Sequence, residues 1–226
     1  MTPYRFVAGT KTPVGSDLTL HERDGEFFLR IDGHPLMTSR ATASEERMVD
    51  LGVAGGNGEE SARYLIGGLG LGFTLRRLVQ VAKPEDVIEV AEVVPEVVDW
   101  NRGPLAEIQN RAVYDERVNV IVGDVFDQIQ KAKPESYDAI FLDVDNGPMA
   151  MTQRENRRLY ERKGFGAITH SLKKGGRAVF WSASRERAFA KKLRRAGFEV
   201  DIVAAKAYEK AKKPTHTLFV GRRQLD

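Results

Sequence analysis

Four places in the 226-residue chain put polar groups of ligand-handling type directly after a short apolar run. The most unusual is Tyr137-Asp-Ala-Ile-Phe-Leu-Asp143-Val-Asp145-Asn146-Gly-Pro148, which ends in two carboxylates and an amide and is stopped by Gly-Pro. Neighbouring acids raise the pKa of at least one of them, so keeping both calls for a cation or a hydrogen-bond network. As chemistry, the pair stands where a substrate would meet a cofactor. As architecture, Asp and Asn cap a turn.

The other three places suit a nucleoside. Gly67-Gly-Leu-Gly-Leu-Gly72 follows the apolar run Arg63–Ile66 and leads into a helix near Thr74. Gly68, Gly70 and Gly72 would let the backbone turn sharply and approach a ligand closely, or would simply make a tight connection. Glu92 ends the next apolar run, twenty residues after Gly72. An acid at that spacing can accept both hydroxyl protons of a ribose. Glu89, three residues earlier, falls on the opposite side of the strand. Gly123-Asp124 follows the third run, where a carboxylate either accepts from an adenine amine or caps the helix beginning at Val125.

These positions need strands to carry them. Runs at 63–66, 86–92, 118–122, 137–142 and 177–181 alternate with helical patterns at 73–82, 95–109, 125–132, 155–173 and 184–196. That rhythm predicts an α/β fold with a doubly wound, mostly parallel sheet. Two final strands, 198–204 and 215–220, have no helix between them and should form an antiparallel hairpin at the sheet edge. The total is seven strands in a Rossmann-like sheet of the class I methyltransferase type. Ahead of it, Asp24-Gly25 and Asp32-Gly33 flank the alternating segment 26–31, a strong hairpin signal. Residues 1–52 are therefore expected to form a small antiparallel β unit. After a glycine-rich stretch, 59–226 should be the cofactor-binding domain.

Composition narrows the function classes. The chain has no Cys, which excludes thiolate metal sites, disulfides and a cysteine nucleophile. Its four His are scattered without metal-ligand spacing, so no metal is expected. A formal charge of +3, with basic residues gathered at 185–195 and 206–213, fits solvated faces better than a nucleic-acid surface. The start lacks a signal-peptide layout, and no apolar run approaches the roughly 20 residues of a membrane span. A cytoplasmic protein is expected, with no membrane partner.

The order of glycine-rich loop, Glu92, Val122-Gly-Asp124, Tyr137 to Asp143, Leu159-Tyr160 and Leu172-Lys-Lys-Gly-Gly176 resembles the spermidine synthase (polyamine aminopropyltransferase) family. Upstream, Asp32-Gly-His-Pro-Leu-Met-Thr38-Ser-Arg40 is similar to that family's Asp-Gly-x-x-Gln-x-Thr-x-Arg run. The resemblance implies a class I methyltransferase-like fold, decarboxylated S-adenosylmethionine (or S-adenosylmethionine itself) as group donor, a small-molecule amine as acceptor, and a homodimer. It further implies that Glu92 holds the ribose, Asp124 the adenine, and Asp143 acts as general base. Asp145 and Asn146 would position the amine, with Glu45 and Tyr160 on the substrate side. The sequence departs from the family at Leu71 (an Asp there), Leu36 (Gln), Glu45 (Tyr) and Trp181 (Gln), and its Asp-Ser-Ser-Asp-Pro signature is shortened to Asp143-Val-Asp145-Asn146-Gly-Pro148. Nucleoside positions are kept and substrate positions altered, the pattern of a divergent branch whose acceptor need not be putrescine. A methyltransferase and a non-catalytic nucleoside-binding protein are the competing expectations.

Overall fold

The computed structural model describes residues 2–54, 61–143 and 156–225. Four strands, β1 (Arg5–Lys11), β2 (Asp17–Arg23), β3 (Glu26–Ile31) and β4 (His34–Thr38), pair antiparallel in chain order. Both Asp-Gly pairs turn as their type requires. Asp24 and Gly25 have φ of 53° and 80°, and Asp32 and Gly33 have 47° and 78°, the left-handed pair that a two-residue hairpin needs. The β unit ends at Thr38. Residues 43–52, expected within it, instead belong to helix α1 (Ala43–Val53), which packs on the larger domain. Met48, Val49 and Gly52 are buried on one side of this helix, and a Cβ on Gly52 would overlap the Phe141 ring. The missing side chain is what lets α1 lie on the sheet.

The larger domain continues with β5 (Arg63–Gly67), α2 (Phe73–Val81), β6 (Val87–Glu92), α3 (Pro95–Arg102), β7 (Val118–Val122), α4 (Val125–Lys131) and β8 (Tyr137–Leu142). Then come α5 (Arg162–Ser171), β9 (Leu172–Ser182), α6 (Arg187–Arg195), β10 (Phe198–Ala205) and β11 (His216–Arg223). The seven strands lie in the order β10-β11-β9-β8-β5-β6-β7, parallel except for β10 and β11. The terminal hairpin thus sits at the edge, as its sequence predicts. Every residue of β8 is buried, as expected for a central strand covered on both faces. Met48, Leu78 and Phe141 belong to the core on one face; Phe165, Phe180 and Phe189 belong to that on the other.

Some helix limits differ from the sequence pattern. Helix α3 stops at Arg102 rather than 109, because Gly103 precedes Pro104 and a residue before proline is driven out of helical conformation. The 155–173 pattern resolves into a 3-10 turn at Asn156–Tyr160 followed by α5, and Leu172 already begins β9. No helix among the described residues is long and apolar enough to cross a membrane.

Candidate functional site

The strand order reverses on either side of β5, with β6 to one side and β8 to the other. A crevice forms beyond the carboxyl ends of the strands at such a point. Here it is a cavity of about 880 Å³. Glu92 reaches it from the end of β6, Asp124 from the end of β7 and Asp143 from the end of β8.

Glu92 also holds the glycine loop down. Its two carboxylate oxygens accept from the backbone N–H of Leu69 (2.8 Å) and of Val94 (2.9 Å). Burial at 7% exposure pushes its pKa up, and these amide bonds oppose that shift. Each oxygen has a second lone pair, so the group can still accept two further protons. Glu89 points away from this arrangement, paired with Arg63 (2.6 Å) and accepting from the Tyr137 hydroxyl (2.6 Å).

The loop glycines divide. Gly68 and Gly70 line the cavity, whereas Gly72 does not. At Gly70 (φ +51°) a Cβ would meet the Met37 sulfur at 2.8 Å. At Gly72 (φ +83°) it would meet Asn101 Oδ1 at 2.6 Å and Gln109 Cβ at 3.1 Å. Gly72 is therefore a packing position at the head of α2, because Asn101 fills the space beside it to brace the Gly70 carbonyl (2.8 Å). Leu71, where the resembled family carries an acid, is fully buried.

Asp124 does two jobs at once. One oxygen accepts from Phe126 N–H (2.8 Å), capping α4, and the other pairs with Arg158 (2.7 Å). Asp143 is half-buried at the cavity wall, and burial together with the nearby Glu45 carboxylate pushes it up to about 8. Glu45, in the first turn of α1, is 6% exposed and accepts from Ser44 Oγ at 2.5 Å. Burial raises its pKa as well. Two acids thus face one cavity, an arrangement that becomes favourable when a cation enters it.

Tyr160 is placed elsewhere. It is 2% exposed and packs between Phe180 and Phe189 in the opposite core, away from this cavity. Asp145 and Asn146 lie outside the described residues. Sequence reasoning also missed the roof, since Leu18, Leu29 and Met37 of the β unit line the cavity. Their alternation marks a buried face without saying whether it meets core or ligand. A second omission is the contact of Trp181 with His216, ring centroids 4.7 Å apart. Only the pairing of β11 with β9 brings these two together. Burial lowers the pKa of His216 and favours its neutral form. Among the described residues, no group of three or more His, Cys, Asp or Glu could hold a metal ion.

Comparison with known proteins adds independent weight. Residues 44–194 match the family model of the spermine/spermidine synthase domain. A polyamine aminopropyltransferase of Corynebacterium efficiens is 29% identical over 173 residues, covering 74% of this chain and 31% of that protein. One of Prochlorococcus marinus is 34% identical over 88 residues, covering 39% of this chain and 31% of that protein. The chain spans about a third of the length of these curated relatives. Among solved structures, spermidine synthase from Thermotoga maritima superposes with a TM-score of 0.73 at 15% identity, covering 98% of this chain and 74% of that one. A spermidine synthase in complex with the transition-state analogue AdoDATO gives 0.72 at 16% identity, covering 98% and 73%. The structural likeness shows a shared fold, including the small N-terminal sheet. With the family model matched from α1 into α6, the chain belongs to the spermine/spermidine synthase domain family.

Proposed function

We propose that the chain is a transferase that moves an aminopropyl group from decarboxylated S-adenosylmethionine to an amine acceptor. The observation that carries this reading is that Glu92 and Asp143, on strands flanking β5, open onto one cavity. In it, Glu92 accepts the ribose hydroxyl protons with its spare lone pairs, and Asp124 accepts from the adenine amine. Asp143 attracts the acceptor ammonium and takes its proton. The freed amine lone pair then attacks the methylene carbon next to the sulfonium sulfur. The C–S bond breaks with its electron pair passing to sulfur, leaving methylthioadenosine and an N-alkylated ammonium. A cation between Asp143 and Glu45 also favours their ionised forms, so substrate binding readies the base. Parallel calorimetric titrations test the donor. Decarboxylated S-adenosylmethionine should bind more tightly than the intact compound; the reverse order would favour methyl transfer, and no binding of either a non-catalytic protein.

The loop glycines separate binding from folding. Gly70→Val should abolish methylthioadenosine binding, since a β-branched residue at positive φ is strained and would displace Met37, which lines the cavity. Gly72→Ala should instead lower unfolding free energy by about 1–3 kcal/mol, as an overpacked site does. Urea denaturation beside calorimetry distinguishes them. Native affinity in Gly70→Val would make the loop a mere connector.

Asp143 also predicts how stability depends on pH. Its folded pKa, about 8, lies above the ordinary 3.8. Between these values the folded state holds a proton that the unfolded state has released, so this group's contribution to stability falls as pH rises through that window. Urea midpoints of the ligand-free protein should therefore drop more steeply from pH 5 to 8.5 in the parent than in Asp143→Asn. Parallel slopes would contradict the shifted pKa.

A further inference from the structure

The walls of the cavity differ in character. The strand ends and α1 supply its carboxylates, whereas β2, β3 and β4 supply Leu18, Leu29, Ile31 and Leu36. Leu18 and Leu29 are 4% and 3% exposed, and Leu18 stands opposite Ile31 in the β2–β3 ladder. Among the described residues, the four-stranded sheet contributes no charged group to the lining. On the β9 and β11 side stand Trp181 and His216, the latter favouring its neutral form.

An amine held at Asp143 must lay the rest of its body against one of these walls. A second ammonium turned toward Leu18 and Leu36 would lose its hydration without gaining a counter-charge from the described residues of that wall, which is heavily disfavoured. Methylene groups or a ring in the same place would leave water for apolar contact. Glu45 fits the same division. It is buried beside Asp143 and accepts from Ser44, so it adds negative charge where the reacting ammonium sits rather than at a distant second site.

We propose that the acceptor is a monoamine with an uncharged, apolar body. Its ammonium sits between Glu45 and Asp143, and its body lies against Leu18, Leu29, Ile31 and Leu36. This rests on the transferase reading above and adds the substrate class to it.

The test compares butane-1,4-diamine with n-butylamine, n-pentylamine and n-hexylamine. Two readouts are taken: methylthioadenosine release from decarboxylated S-adenosylmethionine, and calorimetric binding of each amine to the protein saturated with methylthioadenosine. The monoamines should be preferred over the diamine by about tenfold or more. Binding should tighten roughly three- to fourfold per added methylene, the factor for burying one such group. Leu36→Glu, at a half-buried position, should weaken hexylamine binding and strengthen that of the diamine, with an unchanged circular dichroism spectrum. A tenfold preference for the diamine, or no dependence on chain length, overturns the proposal. Diamine preference with turnover would do so while leaving the transferase reading intact. Monoamine preference in binding without turnover would uphold the apolar amine site but overturn the monoamine as acceptor, together with the transferase reading. No binding of any amine and no turnover would remove both.

Discussion

Asp143→Asn should bind methylthioadenosine like the parent and turn over about 100-fold or more slowly, the scale of losing a positioned base. Asn keeps the shape of Asp but can neither accept the ammonium proton nor carry charge. The ionised form of Asp143 is opposed by burial and by Glu45, so its removal should relieve repulsion in the ligand-free protein. The variant should be at least as stable as the parent at pH 8.5. A purely structural Asp143, capping the chain as it leaves β8, predicts the opposite pair of results: a lower melting temperature and turnover preserved. Melting temperature, turnover and affinity measured on one preparation separate the two. For the parent, kcat/KM should rise with pH toward 8 as the base ionises.

Glu92→Gln should weaken methylthioadenosine about 10- to 100-fold, which is the worth of a hydrogen bond to a charged group expressed as affinity. The structure explains why Gln is the better probe than Ala. Glu92 accepts two buried backbone N–H groups, from Leu69 and Val94, and Ala would strand both at about 1–3 kcal/mol each. A loss of binding in Glu92→Ala would then mix a collapsed loop with a lost ribose contact. Gln keeps one acceptor oxygen, and adenine without ribose supplies the control. Its affinity should change little in Glu92→Gln. Equal losses for adenine and methylthioadenosine would show that Glu92 acts only as a strut for the loop.

The sequence exposed the sheet more fully than the site. The Asp-Gly turns and strand-to-helix alternation are local signals, and β2–β4 and β5–β11 follow them. Helix α1 was hidden because its last turn, Gly52-Val-Ala, runs into a glycine-rich stretch that resembles a linker. Its docking depends on Gly52 meeting Phe141, nearly ninety residues away. The strand-end acids were legible because each follows its strand directly. Tyr160 was not, since the packing of Phe180 and Phe189 decides which way its ring faces. The same limit applies to Gly72, whose neighbours Asn101 and Gln109 come from the region after β6. Apolar residues such as Leu18 and Leu29 look alike in sequence whether they meet core or ligand. Only the placement of the β unit over the strand ends tells them apart.

Product analysis identifies the transferred group. The protein is incubated with an amine panel and either decarboxylated or intact S-adenosylmethionine, and the nucleoside products are separated and quantified. Aminopropyl transfer should yield methylthioadenosine from the decarboxylated donor, in equal amount to an amine heavier by one aminopropyl group, and no turnover of the intact donor. S-adenosylhomocysteine formed from intact S-adenosylmethionine, with the decarboxylated donor left unchanged, would show methyl transfer instead.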